Sequence, residues 1–270
     1  MTATYSLSEE QVRFYQENGY LQLLNVLTAD ELMQARQALD EVLEQQLDAR
    51  HDRSEDAEYR KIFVQKVNLW QVSAGMRRYV FNTRLAEIAR QLTRANTIRL
   101  WHDHALIKMP GDSKASSWHQ DIPYWPMQED GALSCWMALD DVYVENGCMA
   151  FIPKSHKLGR LEPINLKAPQ DLFKLVPDEQ ARTLNLDFTP RFQPMPAGSC
   201  TFHDGRTFHY AGPNQSSKPR RAIITIYMPD EIHYNGNPHI VTDDLQLTPG
   251  ATLIGERFPI LAPKPMVATA

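Results

Sequence analysis

Cysteine is scarce in this 270-residue chain. Only Cys135, Cys148 and Cys200 occur, widely spaced and odd in number, which does not read as a disulfide framework or a zinc knuckle. They are expected as small core hydrophobes, in a chain whose natural home is a reducing cytoplasm. Long apolar runs are also missing. Stretches such as Ala222–Met228 are strand-sized, against the ~20 residues that a membrane-spanning helix needs. The start, MTATYSLSEEQ, shows no basic segment leading into an apolar core, so no secretory signal is visible. Positive charge is not in excess either: the formal net charge is −5, and the basic residues concentrate nowhere beyond Lys154–Arg160. A nucleic-acid partner, which demands a basic face, is therefore not expected. A small anion can still be held locally by one or two arginines or lysines.

What is present is an ordinary globular composition, 43% hydrophobic and 23% charged, so a folded core is expected rather than disorder. The first third reads as helical. Ser8-Glu9-Glu10-Gln11 and Thr28-Ala29-Asp30-Glu31 both have the form of a capping box. After the second box Leu32, Ala35, Leu39, Val42, Leu43 and Leu47 recur at helical spacing. Gly19 ends the first helix, Tyr20–Val26 resembles a short strand, and a third helical stretch lies near Thr83–Thr93. Ala49–Arg60 is highly charged and reads as an exposed loop or a ragged helix end.

From Asn96 the pattern changes. Short β-branched and aromatic runs follow one another: Ile98–Lys108, Leu133–Val144, Met149–Ile152, Ser199–His203, Thr207–Tyr210 and Ala222–Met228. Proline and glycine punctuate them, with no helices between, which predicts an antiparallel sandwich or barrel. The polar stretch Lys157–Arg191 interrupts the series and reads as an insertion, a candidate lid. The chain is thus expected to be one domain, residues 1–270. Residues 1–95 would form a mainly helical part packed on a barrel core of residues 96–262, with the insertion near 157–191.

Trp118-His119-Gln120-Asp121 is the most informative tetrapeptide. In a strand, residues two apart share a face, so His119 and Asp121 would converge on one point. Alone, a His-x-Asp pair is weak evidence of a metal. It gains weight from Phe208-His209-Tyr210-Ala211-Gly212-Pro213-Asn214 and, eleven residues after the histidine, Arg220. Two imidazoles and a carboxylate form the three-ligand face of non-haem iron sites, with positions left open. If the strands of His209 and Arg220 paired as a hairpin, the guanidinium could enter the same barrel and grip a carboxylate with its planar fork.

Through these motifs the chain resembles the phytanoyl-CoA dioxygenase-like Fe(II)/2-oxoglutarate oxygenases. The resemblance covers most of the sequence: a helix followed by GYLQLL, then LIKMPGD, WHQDIPYWP, SCWMALDDVYVENGCMAFIPKSHK and TFHYAGPNQSSKPRRAI. It implies a mostly β protein with flanking helices, a double-stranded β-helix of the jelly-roll or cupin-like kind. It further implies Fe(II) on His119, Asp121 and His209, with 2-oxoglutarate and O2 as cosubstrates. Arg220 would bind the distal carboxylate of 2-oxoglutarate, with Lys108 near it and Trp136 lining its pocket. The implied reaction is oxidation, most simply hydroxylation, of a small molecule with release of succinate and CO2. Asp121 speaks against halogenation, since halogenating relatives keep a small residue there. One departure stands out: relatives often carry serine two residues after the distal histidine, where this chain has Ala211.

Other residues compete for attention. His102 and His104 form a second pair two apart, suited to core hydrogen bonding, to facing substrate, or to a cupin-like site that needs no 2-oxoglutarate. His203 lies six residues before His209. Tyr124, Trp125 and Trp101 are candidates for a substrate wall or for plain core packing. Lys154, His156, Lys157 and Arg160 form a small basic cluster that reads first as a solvated loop. A non-catalytic β-barrel binding protein is the remaining alternative, disfavoured by the complete triad and arginine.

Overall fold

The computed structural model describes residues 5–48, 51–52, 62–111, 113–165, 174, 176 and 178–263. The charged stretch Ala49–Arg60 lies almost wholly outside them, as do Leu172, Phe173 and Leu175 of the insertion.

Both predicted capping boxes form. Ser8 and Gln11 satisfy each other's backbone amides at the start of α1 (Glu9–Asn18), and Thr28 and Glu31 do the same for α2 (Ala29–Leu43). Gly19 ends α1 in the left-handed conformation, and β1 (Tyr20–Leu23) follows at once. A side chain at Gly19 would strike Thr207 Oγ1 and His156 Nδ1, so backbone freedom and close approach both require glycine there. After β2 (Val64–Val67) come two short helices, α3 (Leu69–Val72) and α4 (Ala74–Val80), and then α5 (Thr83–Thr93). The predicted third helix is thus present, whereas α3 and α4 gave no clear period.

The remainder is antiparallel sheet. β3 (Ile98–Lys108), β5 (Leu133–Ala138), β8 (Cys200–Asp204), β10 (Arg220–Pro229) and β11 (Ile260–Ala262) join β1 and β2 in a seven-stranded sheet. Its order is β1-β8-β5-β10-β3-β11, with β2 also on β3. A smaller four-stranded sheet, β4-β9-β6-β7, comprises Ser116–His119, His209–Ala211, Met149–Phe151 and Arg191–Phe192. The two sheets face each other as a curled, double-stranded β-helix. Leu133–Val144 is not strand throughout: it turns after Ala138, and Val142 makes an isolated bridge to Met195.

Alternation along the strands sorts the core into two faces. Leu133, Cys135, Met137, Ile223 and Tyr227 point to the helices and pack with Leu39, Val42, Leu85, Ile88 and Leu92. Trp136, Ala138, Ile224 and Ile226 point into the barrel. Each such apolar side chain, once buried, contributes roughly 1.5–3 kcal/mol, so the helices are held mainly by packing. One bulge alters the pattern. Pairing runs from Ile226 opposite His102 to Tyr227 opposite Leu100, which makes Trp101 an extra residue. Leu100 consequently joins the helix-side core, while Trp101 and His102 both turn to the barrel side.

The strands of His209 and Arg220 do not pair with each other as a hairpin. β9 pairs with β4 and β6 of the small sheet, and β10 pairs with β3 and β5 of the large one. The connecting turn crosses between sheets, and Asn214 pins it there by donating to the carbonyls of Lys108 and Lys218 at 2.9 and 2.8 Å.

Candidate metal centre and cosubstrate pocket

β4 ends at His119, so the His-x-Asp pair does not share one strand face as the pleat argument predicted. Asp121 instead has helical backbone angles at the start of a 3-10 turn, Ile122–Tyr124, and its amide donates to the Gly205 carbonyl at 2.8 Å. The turn, rather than the pleat, brings its carboxylate back toward His119. His209 arrives from β9, directly opposite His119 in the register.

The three side chains meet closely. Asp121 Oδ1 lies 3.7 Å from His119 Nε2 and 3.5 Å from His209 Nε2. All three donor atoms fall within 4.8 Å of one another. Each histidine is oriented by the same local device: Nδ1 of His119 meets the Ser117 carbonyl at 2.6 Å, and Nδ1 of His209 meets the Thr207 carbonyl at 3.0 Å. A proton on each Nδ1 leaves Nε2 with a free lone pair toward the shared point. The second carboxylate oxygen of Asp121 accepts from Ser134 at 2.8 Å and lies 3.3 Å from His203 Nε2. Burial and the neighbouring His209 pull the pKa of His119 down to about 3, so its imidazole stays neutral at ordinary pH. Burial would raise Asp121, but His209 and the bond from His203 outweigh it and hold the carboxyl well below its usual range. Two neutral-capable imidazoles and a firm carboxylate suit a hard-to-borderline divalent ion such as Fe(II).

These groups open onto a cavity of about 470 Å³. At one end of it lie Arg220 and Trp136, with the guanidinium carbon 5.0 Å from the ring centre. Arg220 is only 2% exposed, yet its Nε and Nη1 find no hydrogen-bond partner. Burial drives its pKa down to about 10, which still leaves it charged. A buried, charged, unpaired guanidinium is costly unless an anion fills the space beside it. Lys108, opposite Arg220 in the register, does not line the cavity. Its amine donates to the carbonyls of Lys114 and Ile62 at 2.7 and 3.3 Å.

His102 and His104 line the same cavity together with His239, with ring centres 5.2 Å apart for the first pair and 5.9 Å for His102 and His239. They do not join the metal group: among the described residues, His119, Asp121 and His209 are the set close enough to share one ion. Of the three aromatics that could form a wall or simply pack in the core, Tyr124 and Trp125 line the cavity, Trp125 also being buried in the barrel core, whereas Trp101 is core, stacked on Phe258 at 5.3 Å. The basic cluster is occupied structurally. Lys154 and Lys157 pair with Glu17, Arg160 pairs with Asp130, and His156 meets the Gln16 carbonyl.

Two site residues escape a reading of motifs. Gln120 donates to the carbonyls of Gly159 and Arg206 and accepts from the Leu161 amide, fastening the insertion to the metal loop. Its place inside WHQD was the available signal. Ser134 carries no local signal, because its partner Asp121 sits across the barrel.

Comparison with known proteins agrees with this chemistry. The family model described as phytanoyl-CoA dioxygenase (PhyH) matches residues 15–222. The peroxisomal phytanoyl-CoA dioxygenase of Bos taurus is 24% identical over 84% of this chain and 70% of its own length. A probable alpha-ketoglutarate-dependent hypophosphite dioxygenase of Stutzerimonas stutzeri is 25% identical over 81% and 77%. Among solved structures, the non-heme alpha-ketoglutarate-dependent carbocyclase SnoK from nogalamycin biosynthesis has a TM-score of 0.77 and 31% identity, covering 94% of this chain and 96% of that one. The epimerase SnoN, in complex with Fe3+, alpha-ketoglutarate and nogalamycin RO, gives 0.75 and 29%, covering 94% and 98%. Fold and site together define a non-haem iron, 2-oxoglutarate-dependent dioxygenase. The chain belongs to the phytanoyl-CoA dioxygenase family.

Proposed function

We propose that His119, Asp121 and His209 hold the iron, and that Arg220 seats the distal carboxylate of 2-oxoglutarate with Trp136 along its face. The observation that carries this reading is the buried Arg220 guanidinium, unpartnered at Nε and Nη1, in the cavity onto which the triad opens. Iron(II), 2-oxoglutarate and O2, when bound, supply an oxidant that takes hydrogen from a C–H bond, with release of succinate and CO2. The chain's own residues do the rest. Ser134 and His203 fix the Asp121 carboxylate, and the Ser117 and Thr207 carbonyls fix the histidine tautomers. Trp136, Met149, Ile224 and Ile226 keep the surroundings dry. Lys108 works behind Arg220, tying the segments of Ile62 and Lys114 together.

The substrate we infer is a small, largely apolar, oxygen-bearing molecule that is hydroxylated. Its place is the far part of the cavity, beside His102, His104 and His239. Engagement of Lys154, Lys157 and Arg160 with Glu17 and Asp130 supports this over a CoA thioester, whose phosphates need available cations. A second reading is favoured by SnoK and SnoN, a carbocyclase and an epimerase: hydrogen removal here ends in ring closure or inversion without oxygen transfer. We place the protein in the cytoplasm as one domain, a location that the three free, buried thiols support. Among the described residues, no helix is long and apolar enough to cross a membrane.

The test is succinate release with a panel of candidate metabolites. Asp121→Ala is expected to abolish it, and Arg220→Ala to raise the KM for 2-oxoglutarate roughly ten- to a hundredfold. Product that gains one oxygen atom supports hydroxylation; an isomer, or loss of two hydrogens, supports the second reading. Unchanged cosubstrate dependence in Arg220→Ala rejects the assignment of that residue.

A further inference from the structure

A carboxylate offers about four lone-pair sites, and a guanidinium fork takes two of them. Something else in the Arg220 end of the cavity should therefore donate to the anion held there. Lys108 places two of its three N–H donors on backbone carbonyls and does not line the cavity. Of the hydroxyls lining the cavity, Ser134 donates to Asp121 and Tyr124 donates to the Ile164 carbonyl at 2.7 Å. The remaining hydroxyl among the described lining residues belongs to Ser116.

Its position is set by an irregularity in β4. Ser116 pairs with Ala211 and His119 pairs with His209, so three steps along β4 match two along β9. In a regular strand, residues three apart point to opposite faces. The bulge removes that conflict and turns Ser116 to the cavity side along with His119. Ser116 also lies two residues beyond Lys114, whose carbonyl takes the Lys108 amine, and Lys108 stands opposite Arg220. Facing Ser116 across the strand pair, Ala211 offers the cavity only a methyl group.

We propose that Ser116 is a cosubstrate-binding residue, donating its hydroxyl to the carboxylate that Arg220 holds. The hydroxyl needed at this end of the pocket is thus carried on β4 and not on β9. The inference rests on the assignment of Arg220 to the distal carboxylate of 2-oxoglutarate. Because paired residues in an antiparallel ladder keep their Cβ atoms about 4.5–5.5 Å apart, a hydroxyl moved from position 116 to position 211 reaches the same anion.

The experiment is anaerobic calorimetric titration of the Fe(II)-loaded protein with 2-oxoglutarate and, separately, with 2-oxobutyrate, which lacks the distal carboxylate. Ser116→Ala is expected to weaken 2-oxoglutarate roughly tenfold and to leave 2-oxobutyrate unchanged. Adding Ala211→Ser to Ser116→Ala is expected to restore most of the loss. A Ser116→Ala protein that binds 2-oxoglutarate as the parent does, loses both acids alike, or is not repaired by Ala211→Ser overturns the proposal. Arg220→Ala separates the two assignments. If it weakens 2-oxoglutarate selectively while Ser116→Ala does not, only Ser116 is wrong; if Arg220→Ala also has no effect, the pocket assignment fails.

Discussion

His119 and His209 show how little local structure is needed to aim an imidazole when the backbone does the orienting. Each spends Nδ1 on the carbonyl two residues upstream, so both rings present the same nitrogen to one point. Asp103, on the other face of the large sheet, carries the opposite burden. It is fully buried, and burial pushes its carboxyl up to about 7 despite bonds from the Leu69 and Trp70 amides. Below the unfolded value near 3.8 both states hold the proton, so nothing is lost there. Between that value and about 7 the folded state keeps a proton that the unfolded chain has released, so stability falls as pH rises; above that window it levels off. Asp103→Asn is expected to flatten this decline, which amounts to a few kcal/mol to order of magnitude. Urea midpoints measured from pH 4 to pH 8 check it, and an unchanged slope in the variant would assign the decline to other groups. At this scale the sequence showed the three side chains that meet, His119, Asp121 and His209, because residue type and spacing mark them. It hid Ser116 and Ser134, since a bulge and a cross-barrel bond leave no mark on neighbouring residues.

Among the elements, helices were legible where caps and apolar stripes agreed, as in α1, α2 and α5. Strand pairing was not. His209 and Arg220 reach one cavity from two different sheets, and the Asn214 turn that allows this resembles a hairpin turn when read as sequence alone. The insertion reaches the cavity through its described part. Its described part packs Leu158, Val176, Leu184 and Phe188 with Phe208, next to His209, while Ile164 exchanges two hydrogen bonds with Tyr124. Ile164 and Asn165 line the cavity itself. This stretch is expected to act as a lid. Limited proteolysis between Lys157 and Arg191 should slow when iron, 2-oxoglutarate and a turning-over substrate are added together. Equal cleavage rates in all conditions would reduce the insertion to surface decoration.

The whole molecule divides its labour between two sheets. The large sheet packs its outer face on the helices and presents Arg220, Trp136 and Ser134 inward; the small sheet presents His119 and His209. Closing one on the other places a three-donor face and a buried cation in one cavity, which is the arrangement a chelating oxo-dicarboxylate needs. That claim is tested most directly by adding 2-oxoglutarate anaerobically to the Fe(II)-loaded protein and recording the visible spectrum. A weak charge-transfer band is expected in the parent and is expected to be lost in Asp121→Ala. Iron demonstrably bound, with no band at saturating 2-oxoglutarate, would contradict it.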